Sequence, residues 1–229
     1  MATRPAESQT PGRQHQAEGA VVTSSGFSVI KLSNNKAQMD MQLRLRSVPL
    51  NKNPRGYQEK LFIGLTNYDQ SHKSPSVYLN HALDGPVFRM LAQVIIGNTF
   101  PSAIQSEMFG KEPICKVVES NGAHFYQWKE FKGGPDRREG GKVISRTLTI
   151  TFNDTPGHRY PWTVGLTRGP GKANATGAVM PAGQPTHKVQ IQLSPVQMHQ
   201  WMLLGSEALQ ALTTVQMLRA PLLTEGLIE

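Results

Sequence analysis

The pentapeptide Phe62-Ile63-Gly64-Leu65-Thr66 returns in the second half of the chain as Thr163-Val164-Gly165-Leu166-Thr167. Internal self-similarity is the mark of a repeated structural unit, provided more than the short match recurs. Here the flanking landmarks recur too. Upstream of the first copy is a turn with Pro54, Gly56 and Tyr57; upstream of the second stand Pro156, Gly157 and Tyr160. An alternating stretch precedes each turn, ending near Leu45 and Ile150. After each Gly-Leu-Thr comes a loop, then a short apolar stretch at Val77 or Val189. Pro86-Val87 and Pro195-Val196 then open two apolar helical patterns. This shared order predicts an α+β fold: two tandem repeats of a four-stranded antiparallel sheet followed by a helix. The repeats occupy residues 26–100 and 101–218. A flexible, disordered N-terminal arm (1–25) and a C-terminal tail (219–229) flank them.

Periodicity supports the strands. Ala37, Met39, Met41, Leu43 and Leu45 alternate with Gln38, Asp40, Gln42, Arg44 and Arg46, which is the two-residue period of a half-buried strand. Phe27–Leu32, Leu61–Thr66 and Val77–Leu79 complete the first sheet. In the second, Leu148, Ile150 and Phe152 alternate with Thr147, Thr149 and Thr151 within the strand Val143–Phe152. Trp162–Thr167 and Val189–Leu193 follow it. A hairpin of Ile114–Glu119 and His124–Phe131 precedes it, turned by Asn121-Gly122, a dipeptide that tolerates the positive φ of a tight turn. Lys132–Gly141 and Gly169–Pro185 read as loops. Asp84 is placed to cap the first helix and Gly97 to stop it. Ser194-Pro195 opens the second, an N-cap hydroxyl before a proline in the first turn. Gly205 inside that helix costs ~1 kcal/mol and predicts close packing or a bend.

The 229 residues carry 24 Lys and Arg against 16 Asp and Glu, a formal net charge of +8. The placement of this excess says more than its size. Residues 31–80 hold eight basic and three acidic residues, and residues 142–193 hold six and one. Residues 1–30 and 81–141 are balanced, and residues 194–229 are slightly acidic. The surplus therefore falls on the two sheet regions and spares the last helix. Lys and Arg on a strand face often serve only solubility, but that does not account for so few acids beside them. Such faces can neutralise phosphates and release counterions. Aromatic rings between them can stack unpaired bases at ~1–3 kcal/mol each. The candidate binding residues are Arg44, Arg46, Lys52, Arg55, Tyr57 and Lys60 in the first unit. In the second they are Tyr126, Trp128, Arg146, Arg159, Tyr160, Trp162, Arg168 and Lys172. For each ring the competing role is core packing, and in the hairpin either Tyr126 with Trp128 or Phe125 with Phe131 faces outward.

Several chemistries lack their residues. There is no phosphate-binding P-loop, dinucleotide-binding glycine fingerprint or His-Glu-x-x-His. Gly169-Pro170-Gly171-Lys172 lacks the spacing of a P-loop, and its proline removes a needed N–H. The seven histidines are scattered without metal-ligand spacing. Acids are scarce in the sheets, which disfavours paired-carboxylate catalysis. We expect no catalytic residues, no metal and no cofactor. A lone cysteine, Cys115, excludes an internal disulfide and reads as a strand residue. No apolar run is long enough to span a bilayer, and the N-terminus shows no signal-peptide core. These features point to a cytoplasmic or nucleoid-associated protein without a membrane partner.

Two copies of a four-stranded antiparallel sheet followed by a helix resemble the Whirly/PC4-like single-stranded nucleic-acid-binding architecture, on the landmarks between residues 27 and 212. The resemblance is one of topology and transfers no residue. It implies strand binding on sheet surfaces and homo-oligomerisation through helices, with Met198, Trp201 and Met202 as interface candidates; alternatively they only cover the sheet. The expected partner is single-stranded DNA, or else RNA, in replication, recombination or RNA handling. The alternative is a coat-type structural protein that self-assembles.

Overall fold

A computed structural model of the chain describes residues 27–47, 57–68, 77–106, 108–109, 114–139, 142–175 and 179–224. The expected arm at 1–25 and the turn at 51–56 lie outside them. The first sheet is an antiparallel meander of β1 (Phe27–Ser33), β2 (Ala37–Ser47), β3 (Tyr57–Asn67) and β4 (Tyr78–Asp84), in that spatial order. The helix α1 (Gly85–Ile96) follows directly, then the short α2 (Phe100–Gln105). The second sheet contains β5 (Ile114–Ser120), β6 (Ala123–Glu139), β7 (Lys142–Asn153), β8 (Trp162–Ala173), β9 (Val179–Pro181) and β10 (His187–Leu193). Its order is β10-β8-β7-β6-β5, with β9 paired to β8, and all pairs are antiparallel. The long helix α3 (Pro195–Thr224) closes the chain.

The alternation in β2 does what its period requires. Ala37, Met39, Met41 and Leu43 are buried, and Gln38, Asp40, Gln42 and Arg44 stand on the opposite face. Leu61, Ile63 and Leu65 of β3 pair with Leu43, Met41 and Met39 and extend the apolar face. Leu148, Ile150 and Phe152 of β7 stand opposite Leu166, Val164 and Trp162 of β8 in the same manner. The two Gly-Leu-Thr strands are both interior: β3 lies between β2 and β4, and β8 between β7 and β10. The second sheet departs from the expected repeat of a four-stranded unit: it has six strands, with β9 off the main path and paired to β8.

α3 lies against β1, β2, β10 and α1, so it covers the apolar face of the first sheet and the seam between sheets. β10 also packs on β2 and β3, and β4 sits beside β7 and β8. Met198, Trp201, Met202 and Leu209 are fully buried. The Trp201 ring meets Phe88 edge-on at 6.1 Å, and its N–H points at the Met41 sulfur at 2.9 Å. Each such side chain withdrawn from water contributes roughly 1.5–3 kcal/mol. Met198, Trp201 and Met202 therefore form core, which corrects their assignment to an oligomer interface. Gly205 is where α3 crosses Phe88 and Met41 most closely.

Local signals resolved as follows. Asn121 and Gly122 both take positive φ, 53° and 75°, and close the β5–β6 hairpin with Ser120 opposite Ala123. Ser194 and Gln197 cap α3 reciprocally: Ser194 Oγ accepts from the Gln197 N–H (3.3 Å), and Gln197 Oε1 accepts from the Ser194 N–H (3.0 Å). Asp84 precedes α1 but makes no side-chain cap, because its carboxylate is taken by lysines. Gly97 has an ordinary φ of −75°, and the left-handed residue ending α1 is Asn98, at 55°. The tail expected from residue 219 is helical to Thr224; the loop expected at 132–141 is strand as far as Glu139, and the one expected at 169–185 is strand in part, over the end of β8 to Ala173 and over β9. Strand pairing overrides their glycine-rich composition.

Candidate nucleic-acid interface

The polar face of the first sheet is built by the same register that builds its core. Gln38, Asp40, Gln42 and Arg44 line β2; Lys60, Phe62, Gly64 and Thr66 line β3; Tyr78, Asn80, Ala82 and Asp84 line β4. Tyr78 is 53% exposed. Its ring lies across Gly64: a Cβ there would come within 2.7 Å of the phenol oxygen and 2.8 Å of a ring carbon, and would also strike the Asp40 carboxylate. Glycine at this position leaves room for the hydroxyl end of the tyrosine beside the Asp40 carboxylate. Phe62, two residues along β3 and so about 7 Å away, carries the Arg44 guanidinium 4.7 Å from its centroid. Arg44 is steadied by a 2.6 Å hydrogen bond to Gln42 Oε1. Tyr68, exposed, donates to Gln38 at the far end of the face.

From Phe62 the face runs into a cleft of about 400 Å³ between the sheets, lined by Lys60, Phe62, Asn80, Lys132, Gly133 and Arg146 among others. Here the register sets cations side by side. Arg44 is the direct partner of Lys60 across β2 and β3. Lys132, Arg146 and Arg168 are direct partners across β6, β7 and β8, with His187 of β10 opposite Arg168. Like charges facing each other on adjacent strands are destabilising. Part of the cost is offset internally: Asp84 bridges Lys60 and Lys132, and Lys132 lies 3.0 Å from Glu130. Arg146 donates to the uncharged Asn80 side chain at 2.6 Å. Among the described residues, Lys60, Lys132, Asp84 and Glu130 thus form one ion-paired group at this place. Burial alone would lower the Lys132 ammonium, but Glu130 and Asp84 outweigh it and hold its pKa above the ordinary lysine value.

His81, on the core side of β4, ties this cleft to the interior. It is buried, and its Nε2 lies 2.8 Å from Glu130 Oε2. Burial lowers its pKa below the ordinary value of 6.5, against the pull of Glu130 and with the help of Lys132 and Arg146. Its Nδ1 has no hydrogen-bond partner. A neutral ring donating from Nε2 accounts for both nitrogens, since a buried bare lone pair is cheaper than a buried unpaired N–H.

The candidate residues therefore divide. Arg44, Lys60, Arg146 and Arg168 come together on the sheet face and the cleft. Arg46 and Tyr57 belong to β2 and β3 by their backbone, and their side chains, with all of Lys52 and Arg55, lie outside the described residues. Lys172 is exposed on the β8 extension beside β9, where it pairs with Met180. Arg159 stacks on Tyr160 at 5.3 Å before the start of β8, whose first residue, Trp162, is itself about 20 Å along the strand from the Arg146–Arg168 pair. Trp128, Trp162 and Tyr126 are core: their exposures are 0%, 5% and 8%. That removes them as stacking platforms, because the face of the second sheet they occupy is covered by α2 and by neighbouring rings at 4.6–6.5 Å. The described candidate cations thus cluster on one sheet face and its cleft, with Lys172 and Arg159 apart from it. Sequence reasoning missed Tyr78, whose exposure depends on its position over Gly64, and Lys132, which it placed in a loop.

Among the described residues no group of three or more His, Cys, Asp or Glu side chains is placed to hold a metal ion. No helix there is long and apolar enough to cross a membrane. Searches of protein families, of curated proteins and of solved structures found no match to this chain.

Proposed function

We propose that this chain binds single-stranded nucleic acid on the outer face of its first sheet, with the backbone drawn into the cation-lined cleft beside β4. One observation carries the reading: an exposed tyrosine over a glycine, next to a phenylalanine with an arginine on its ring, on a face that opens into paired rows of Lys and Arg. Flat rings give sequence-tolerant base stacking, and the cations supply phosphate neutralisation. A salt-bridged structural seam between the sheets is the plainer use of the same charges. That use leaves the exposed Tyr78 ring without a role. We further infer that the two meander-plus-helix units descend from one doubled unit, the second having acquired the β5–β6 hairpin.

The test is fluorescence anisotropy of labelled thymidine and uridine 30-mers with the full chain. Affinity should fall steeply between roughly 50 and 200 mM salt, by about 0.7 in log–log slope per phosphate neutralised. A duplex of the same length should bind more weakly, since its bases cannot reach Phe62 and Tyr78. Affinity that ignores salt, or an equal preference for duplex, refutes the reading.

A further inference from the structure

Two acids stand on the outer face of the first sheet, Asp40 and Asp84, and their surroundings differ. Asp84 is taken by Lys60 and Lys132. Asp40, half-buried in the middle of β2, is the cross-strand partner of Lys31 on β1 but forms no ion pair with it or with any other described residue. It accepts one hydrogen bond, from Gln42 Nε2 to Oδ2 at 3.3 Å. Its Oδ1 leans over Gly64, where the hydroxyl end of Tyr78 also lies. Phe62 stands two residues along β3 from that glycine. The amide oxygens beside these rings are engaged: Gln42 Oε1 by Arg44, Gln38 Oε1 by Tyr68 and Asn80 Oδ1 by Arg146. Asp40 Oδ1 is left open next to both rings.

We infer, on the basis of the sheet-face binding proposed above, that Asp40 reads the edge of a base stacked on Tyr78 and favours bases with an exocyclic amino group over uracil and thymine. A carboxylate in the path of a polyanion repels it, so a face made for backbone contact alone has no use for one here. Asp40 also holds no cation in place, which sets it apart from Asp84. An ionised carboxylate only accepts hydrogen bonds. The amino groups of cytosine, adenine and guanine supply the donor, and aspartate accepting from the cytosine amino group is an established pairing. Uracil and thymine instead present two carbonyl oxygens flanking a single N–H, and those oxygens face the carboxylate unfavourably. Stacking on a ring discriminates little between bases, so a preference of this kind is assigned to the edge.

Deoxycytidine and deoxyuridine 30-mers differ at this edge while keeping the same six-membered ring. In fluorescence anisotropy with the full chain at about pH 7.5, the deoxycytidine strand should bind about tenfold more tightly, the worth of one hydrogen bond to a charged group. D40N places an amide at this position, which donates as well as accepts. It should bind the deoxyuridine strand more tightly than wild type does and bring the ratio to about one. E207Q removes an exposed acid on α3 and should keep the tenfold ratio, which separates edge recognition from a general loss of negative charge. Equal affinity of wild type for the two strands, a ratio that D40N leaves unchanged, or a ratio that E207Q also abolishes overturns the role of Asp40 and leaves the sheet-face binding standing. No binding of either strand, or binding that ignores salt, overturns both.

Discussion

Replacing Gly205 by alanine pits helix propensity against packing, and the structure decides which wins. In the interior of a helix, alanine is favoured over glycine by about 1 kcal/mol. A Cβ at residue 205, however, would collide with the Phe88 ring, coming within 2.6 Å of its Cε1, and within 2.8 Å of the Met41 methyl. Neither neighbour can yield easily. Phe88, Met41 and the adjoining Trp201 are all fully buried, and Trp201 is locked between the other two. Forcing a methyl into such a core costs about 1–3 kcal/mol, and the contact of both neighbours with the buried Trp201 places this case at the upper end. The net expectation for G205A is a loss of about 2 kcal/mol, or about 4–8 °C in melting temperature for a chain of this size. Urea denaturation gives the free energy. F88L removes the ring that the new methyl meets, so the double variant should lose at least about 1 kcal/mol less than the sum of the single losses. G205A melting at or above the wild-type temperature, or strict additivity with F88L, would refute the packing of α3 on α1 described above.

Other outcomes follow from the same geometry. Y78A should weaken 30-mer binding by about five- to a hundred-fold, one stacked base at ~1–3 kcal/mol, while Y78F binds like wild type because the ring and not the hydroxyl is used; anisotropy measures both. R44Q should lower the salt slope of binding by about 0.7, one phosphate contact. His81 has its pKa lowered by burial, so the unfolded chain takes up the proton first as pH falls. Its contribution to stability is complete above pH 6.5 and is lost progressively below it. Urea midpoints at pH 7 and pH 5 should therefore differ less in H81Q than in wild type. S194A should cost ~1 kcal/mol by removing half of the reciprocal cap of α3, read from thermal melting.

Much of the first sheet was legible because β2 writes its two faces directly into a two-residue alternation, and β3 and β4 need only join it. The Asn121-Gly122 hairpin and the Ser194 start of α3 were equally local, each fixed by the φ values or caps those residues favour. Features set across strands were not. Asp84 reads as a helix cap until Lys60 and Lys132 stand beside it. Trp128 reads as an exposed ring until Phe109 and α2 cover it. Lys132, followed by Gly133-Gly134-Pro135, has loop composition, yet the pairing of Lys132 with Arg146 keeps it in strand. The cleft was half visible, in the concentration of Lys and Arg on two segments. Its ring platform was not, because a strand tyrosine is ordinarily core and only the glycine two strand positions away leaves Tyr78 lying open.

The most direct test is to map where an unpaired strand touches the protein. A thymidine 30-mer carrying photoreactive 5-iodouracil, irradiated with the full chain and analysed by peptide mass spectrometry, should form adducts at Tyr78 and Phe62 and lose them in high salt. Adducts confined to other surfaces, with Tyr78 and Phe62 unmodified in a complex that demonstrably forms, would contradict the assignment of the first sheet's outer face.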